Sequence, residues 1–186
     1  MITNLFPTAL YTTRFEGNLK PYIQHCLELS ETLKKGGNDW VHQPYNTHNK
    51  HNIFQDKRFK PLTTFFDKHA KIFAKNLNMN SFLKREAWFN LYKMGDSQEY
   101  HNHHWKSISG IFYLKSTLDD ARTVFKSPIK DYPKDGDLEK NNPYTWKTYS
   151  FKPGQGVLLL FKSDLEHCVE KQKKKSKRIT IALNYD

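Results

Sequence analysis

Apolar side chains recur at helical spacing through much of residues 1–80 and at every second position afterwards, which predicts a helical front and a β-rich remainder. The segment ALYTTRF, residues 9–15, has the β-branched and aromatic content of an opening strand. Leu19, Tyr22, Ile23, Cys26, Leu27 and Leu33 then share one stripe of a helix running from Asn18 to Lys35, and Gly36-Gly37 supplies its stop signal. Residues 38–56 are polar and aperiodic, so they read as a long loop, holding His42, His48 and His51. Leu62, Phe65, Phe66, His69, Ile72, Phe73 and Leu77 form the apolar stripe of a second helix over residues 59–79, with Pro61 in its first turn. That stripe is expected to cover a sheet.

From Phe82 onward the period is two, and strands are predicted at residues 82–94, 101–115, 121–126, 145–151, 156–162 and 177–186. Residues 127–144, with prolines and turn dipeptides, read as an excursion between strands. Alternation in the last strand puts Arg178, Thr180, Ala182 and Asn184 on one face and Ile179, Ile181 and Leu183 on the other, the apolar set packing against the helices. By the same parity Trp88, Asn90 and Tyr92 share a face, and so do Ser107, Ser109, Ile111 and Tyr113. The expectation is one mainly β, α+β domain over residues 1–186, with residues 1–80 supplying a strand and supporting helices and residues 82–186 a β core.

Charge and composition narrow the function only a little. The chain carries 30 Lys and Arg against 19 Asp and Glu, a net charge of +11, which favours acidic partners and keeps nucleic acid among them. Much of the excess sits in EKQKKKSKR, residues 170–178, which reads first as a solvated hairpin loop. Cys26 and Cys168 lack any paired spacing, which points to a reducing compartment such as the cytosol. No apolar run approaches the roughly 18 residues that span a bilayer, and the start lacks a signal-peptide pattern, so a soluble, unprocessed protein is expected.

The chemistry is concentrated in YHNHHWKSISGIFYL, residues 100–114. On an extended strand His101 and His103 leave the same face and can converge on one ion, while His104 points away. A metal needs a third ligand from elsewhere, and His167, just past the apolar run GVLLLF, is placed to supply it. Arg178, on the inner face of the last strand, is costly to bury without an anion, so it has either a protein carboxylate or a carboxylate ligand as partner. Thr180, one strand period on, can add a hydroxyl to the same anion. Each feature alone has an ordinary surface or ion-pair explanation; their fixed order is what distinguishes them.

The succession WFNLYKMG, YHNHHWKSISGIFYL, GVLLLFKSDLEHCVEK and RITIALN resembles the 2-oxoglutarate- and iron(II)-dependent oxygenases, in particular a small group typical of bacteria and marine phages. The resemblance covers residues 82–184, and the opening LFPTALY is similar to that group's start. It implies a double-stranded β-helix, or jelly roll, with the N-terminal helices outside one sheet. It further implies Fe(II) held by His101 and His167, with 2-oxoglutarate and dioxygen as co-substrates and Arg178 and Thr180 on the distal carboxylate. His103 stands where many members of the wider superfamily have Asp or Glu; it is taken as the third ligand, with His104, Asp96 and Glu99 as alternatives. Asn90, Tyr92 and Tyr113 are the candidate hydrogen-bonding residues for the co-substrate. The implied reaction is hydroxylation, coupled to conversion of 2-oxoglutarate to succinate, of a protein or peptide side chain such as a prolyl residue. The loop with Trp40 and Tyr45 and the 127–144 excursion are placed to act as lids. Two rival readings stand beside this: a three-histidine dioxygenase that does not use 2-oxoglutarate, and a basic nucleic-acid-binding module.

Overall fold

The structure is a computed structural model, and it describes residues 3–36, 43–79, 84–129 and 142–186. Among the described residues ten strands form two antiparallel sheets, with two α-helices between the first strands. In chain order these are β1 (Leu10–Arg14), α1 (Lys20–Thr32), β2 (Tyr45–Asn46), α2 (Lys60–Asn76), β3 (Arg85–Tyr92), β4 (Gln98–His101), β5 (Ile108–Lys115), β6 (Thr123–Lys126), β7 (Thr148–Phe151), β8 (Val157–Lys162), β9 (His167–Val169) and β10 (Arg178–Tyr185). The major sheet has the order β1-β8-β5-β10-β3-β2 and the minor sheet β4-β9-β6-β7. This is the double-stranded β-helix that the motif order implied.

The two faces of the major sheet explain its sequence. Ile179, Ile181 and Leu183 of β10, Ala87, Phe89 and Leu91 of β3, and Leu158 and Leu160 of β8 pack with Leu62, Phe66 and Phe73 of α2 and with Cys26 of α1 in one core. Each large side chain buried there contributes about 1.5–3 kcal/mol, so the helices are held by their apolar stripes and not by propensity. The other face looks into the space between the sheets, where Ile111, Leu159, Phe161, Phe125 and Leu165 make a second cluster. Toward one end of that space the inner-face positions turn polar, with Asn90, Ser109, Thr180 and Asn184 all buried. The neighbouring strands of the major sheet crowd β5: a Cβ on Gly110 would meet Leu160 Cδ2 at 2.7 Å and the Leu159 carbonyl oxygen at 2.9 Å.

Several boundaries differ from the sequence pattern. Residues 101–115 are not one strand; β4 ends at His101 in the minor sheet and β5 begins at Ile108 in the major sheet. The turn between them is held by distant partners, His103 N–H donating to the Ser163 carbonyl at 2.9 Å and Ser107 N–H to the Tyr185 carbonyl at 2.8 Å. Helix α1 stops at Thr32, before the glycines. Gly36 instead packs against the next segment, donating to the Asn46 carbonyl at 2.7 Å where any Cβ would strike the His48 carbonyl oxygen at 2.2 Å. Within the expected loop 38–56, Tyr45–Asn46 adds an edge strand to β3. Gly37, Trp40, His42, Phe82 and the central part of the 127–144 excursion lie outside the described residues. The Lys-rich connection from β9 to β10 is largely exposed but is pinned by buried Gln172, which bonds Asp120 Oδ1 at 2.8 Å and accepts from Ala121 N–H at 2.9 Å. Among the described residues no helix is long and apolar enough to cross a membrane.

Candidate metal centre

His101 closes β4 and His167 opens β9, and the two are directly paired across the minor sheet. Their ring centroids are 4.3 Å apart, and the turn after β4 brings His103 to 5.2 Å from His101 and 5.6 Å from His167. One ligand atom from each of the three lies within 4.8 Å of the others. Three nitrogens bound to one ion at about 2.1 Å lie about 3.0–3.6 Å from one another, so side-chain rotations that draw the rings together by about 1–2 Å would seat an ion. The expected convergence of His101 and His103 is therefore present, but on a strand end and a turn, not on one extended strand.

The backbone fixes which nitrogen faces inward. His101 Nδ1 lies 2.7 Å from the Glu99 carbonyl and His167 Nδ1 2.9 Å from the Leu165 carbonyl, contacts that place the proton on Nδ1 and make Nε2 the nitrogen suited to coordinate. Burial keeps all three rings neutral. It lowers the pKa of His101, brings His103 to about 4 with help from the nearby His101, His48 and Lys106, and brings His167 to about 3 with help from His101. Three neutral imidazoles converging at the head of a pocket form a donor set suited to a borderline divalent cation. The alternative ligands are placed elsewhere: His104 is exposed 3.6 Å from Asp164, Glu99 is exposed, and Asp96 caps a turn by accepting from Lys93 N–H at 2.7 Å.

Behind the histidines a small chamber of about 30 Å³ is lined by Asn90, Tyr92, Gln98, His101, His103, Ser109, His167, Arg178 and Thr180. Arg178 is fully buried. Its guanidinium carbon lies 4.5 Å from the Tyr92 ring centroid and 5.4 Å from that of Tyr113, yet Nε, Nη1 and Nη2 all lack a hydrogen-bond partner. Burial pushes the Tyr92 hydroxyl up to about 12 against the opposing pull of Arg178, and it raises Tyr113 in the same way. Tyr92 donates to Gln98 Oε1, while the Tyr113 hydroxyl sits 2.7 Å from Thr123 Oγ1 and does not line the chamber. Asn90 lies opposite Thr180 in the β3–β10 register, and its Oδ1 is also buried without a partner.

A buried cation with every nitrogen unsatisfied and no carboxylate beside it among the described residues is the feature a dicarboxylate co-substrate would complete. At about 30 Å³ the chamber has room for little more than a water, so a carboxylate reaching Arg178 must displace a side chain; Gln98, at the neck and tied to Tyr92, stands in that path.

The chamber opens into a larger cleft of about 310 Å³, shared through Trp88, Asn90, Gln98, His101 and His103 and reaching His48, Trp105 and Lys106. Trp88 packs against His48 with centroids 4.5 Å apart and the ring planes tilted by 54°. Lys106 Nζ sits between Glu86 at 3.4 Å and Asp186 at 3.3 Å, so the rim carries no surplus of positive charge there. Gln98, Trp105 and Lys106 did not emerge from sequence reasoning. Gln98 enters the site through an irregularity in the β4–β9 pairing, which no local pattern announces. The Lys-rich connection lines neither cavity.

Two facing sheets with a histidine cluster at the open end and a buried arginine behind it define the architecture of an iron- and 2-oxoglutarate-dependent oxygenase. The family model described as "Putative 2OG-Fe(II) oxygenase" matches residues 86–184, more than half of the 186-residue chain. The chain belongs to this family, and it is a 2-oxoglutarate- and Fe(II)-dependent oxygenase. Among solved structures the fold is similar to a Pseudomonas putida prolyl-4-hydroxylase, at TM-score 0.69 and 14% identity over 96% of this chain and 92% of that one. It is similar also to a Trichoplax adhaerens prolyl hydroxylase in complex with a hypoxia inducible factor peptide fragment, at TM-score 0.67 and 17% identity over 95% of this chain and 82% of that one. A third, SnoN, a non-heme alpha ketoglutarate dependent epimerase of nogalamycin biosynthesis, has TM-score 0.71 and 10% identity over 96% of this chain and 76% of that one. No curated protein matches the chain in sequence.

Proposed function

We propose that the chain is a hydroxylase of a protein or peptide side chain, a prolyl residue being the leading candidate, and that residues 1–186 act as one oxygenase domain in the cytosol. His101, His103 and His167 hold the iron. Arg178 and Thr180 bind the distal carboxylate of 2-oxoglutarate, Asn90 and Tyr92 complete its surroundings, and Tyr113, which does not line the chamber, backs the Arg178 guanidinium with its ring. The observation that carries the co-substrate assignment is Arg178, a fully buried cation whose three nitrogens have no partner.

When bound, the metal supplies the activation of dioxygen, with 2-oxoglutarate leaving as succinate and carbon dioxide and one oxygen atom entering a substrate C–H bond. The residues provide the rest. The carbonyls of Glu99 and Leu165 orient His101 and His167 through Nδ1, so Nε2 is the nitrogen suited to coordinate. Burial of His167 and Arg178 keeps water from the reacting centre. Trp88, half-buried at the junction of chamber and cleft, presents an apolar wall where a substrate side chain would enter.

Peptide hydroxylation is favoured over epimerisation because two similar folds are prolyl hydroxylases, one of them solved with a peptide, whereas SnoN keeps a different outcome open for the same fold. A three-histidine dioxygenase that dispenses with 2-oxoglutarate would require Arg178 to be paired within the protein, and its unpartnered nitrogens argue against that. The test is succinate release from Fe(II) and 2-oxoglutarate, with and without cell extract, by the wild type and by His167→Ala. Extract-stimulated succinate, with peptides gaining one oxygen by mass spectrometry, supports the reading. Equal release by the variant would refute the metal assignment.

A further inference from the structure

The minor sheet carries one transverse row that begins at the histidine cluster. His101 of β4 pairs with His167 of β9, His167 with Phe125 of β6, and Phe125 with Tyr149 of β7. Directly paired residues share a face of a sheet, so the row runs along the inner face from the metal candidates to the sheet's edge. The Phe125 and His167 rings are 6.0 Å apart. Trp146, just before β7, prolongs the row by stacking on Tyr149 at 5.3 Å with the planes 27° apart.

Burial changes along this row. Phe125 is buried, whereas Tyr149 is 39% and Trp146 36% exposed, and neither of these two lines the cleft above the histidines. On the opposite flank Trp105, two residues beyond His103, is 90% exposed. A small molecule seated in the cleft would leave the Tyr149–Trp146 stack unused, while a chain crossing the mouth would cover it. Three strand spacings of about 4.8 Å separate His101 from Tyr149, roughly 14 Å, a distance an extended polypeptide covers in about four residues.

We infer that the Tyr149–Trp146 stack is a docking platform for an extended polypeptide substrate, gripping apolar or prolyl side chains about four residues from the one presented to the histidines. The inference rests on the oxygenase reading and names the form its substrate takes. Single-stranded nucleic acid also stacks on aromatic rings, but it needs unpaired cations alongside for its phosphates. Here Lys126, on the strand beside β7, lies 3.0 Å from Glu166, Lys106 at the rim is matched by two carboxylates, and the Lys-rich connection lines neither cavity, so the cations beside the row do not form a continuous unpaired track.

The probes are a library of fluorescent peptides of about 15 residues with a central proline, the same peptides cut to about two residues on each side, and an oligothymidylate of similar length. Binding is read by anisotropy. Some of the long peptides should bind the wild type, and Trp146→Ala and Tyr149→Ala should each weaken them about tenfold. The same variants should leave the short peptides unaffected, and Tyr149→Phe should restore the affinity. Both side chains are more than a third exposed, so the variants should keep the wild-type circular dichroism spectrum. Unchanged long-peptide affinity in both alanine variants, no binding by any long peptide, or binding of the oligothymidylate alone would overturn the inference. Succinate release by the wild type with Fe(II), 2-oxoglutarate and cell extract reports the oxygenase reading separately. If it failed while the length dependence held, that reading would fall and the platform would stand.

Discussion

Replacing Arg178 with methionine separates what this residue costs the fold from what it gives the site. An unpaired guanidinium taken fully out of water carries a penalty of several kcal/mol. The rings of Tyr92 at 4.5 Å and Tyr113 at 5.4 Å return about 2 kcal/mol of it. Methionine keeps most of the aliphatic stem and removes the charge, so the ligand-free variant should be more stable than the wild type by about 1–3 kcal/mol, or roughly 2–4 °C per kcal/mol. The site pays the opposite way. Anaerobically, with Fe(II) and 2-oxoglutarate at about 100 times its dissociation constant, the wild type should gain about 2.7 kcal/mol, and the variant should gain almost nothing at the same concentration. Urea or thermal unfolding of both proteins, with and without 2-oxoglutarate, measures all four values. A variant that is less stable than the wild type by more than about 1 kcal/mol, or one that keeps the 2-oxoglutarate shift, would refute the view of Arg178 as an anion site held open at a cost.

Other outcomes follow from the same geometry. His103→Asp should retain Fe(II) binding by calorimetry, because a carboxylate at that turn reaches the same point, whereas His103→Ala should lose at least about tenfold in affinity. Gly110→Ala should destabilise by about 1–3 kcal/mol in urea unfolding, since the new methyl meets Leu160 and a backbone oxygen inside 3.0 Å. Asp56 accepts the Arg58 backbone N–H at 3.0 Å and its Nη2 at 2.7 Å, contacts that hold its carboxyl below the usual carboxylate range. A depressed folded value means stability that is present above the unfolded value of about 3.9 and lost as pH falls through the folded one. Asp56→Asn should therefore cost about 1 kcal/mol near neutrality, and the difference from wild type should vanish in acid.

Much of this architecture is legible in the sequence because both faces of the central strands are specified. Alternation in RITIALNY puts Ile179, Ile181 and Leu183 on the helices and Arg178, Thr180 and Asn184 on the chamber, and the pairing with β3 does the same for Asn90 and Tyr92. The break between β4 and β5 was not legible. The residues HNHHWKS contain no Gly or Pro, and the turn exists because Ser163 and Tyr185, far along the chain, supply its hydrogen-bond partners. His167 reads as lying beyond a strand because β9 is three residues long, too short to show a period. Gly36 reads as a helix stop for a related reason: the conformational freedom that suits a stop also suits the close approach that Gly36 makes to the His48 carbonyl. The row from His101 to Tyr149 depends on the register of four strands, which no single segment encodes.

The central claim is that His101, His103 and His167 hold Fe(II) within reach of a 2-oxoglutarate anchored on Arg178. Anaerobic addition of 2-oxoglutarate to the Fe(II)-loaded protein tests it directly through the metal-to-ligand charge-transfer absorption of the chelate. The account predicts a saturable band for the wild type, none for His167→Ala, and one requiring far higher 2-oxoglutarate for Arg178→Met. A wild type without the band, or a His167→Ala protein that develops it equally, would contradict the account.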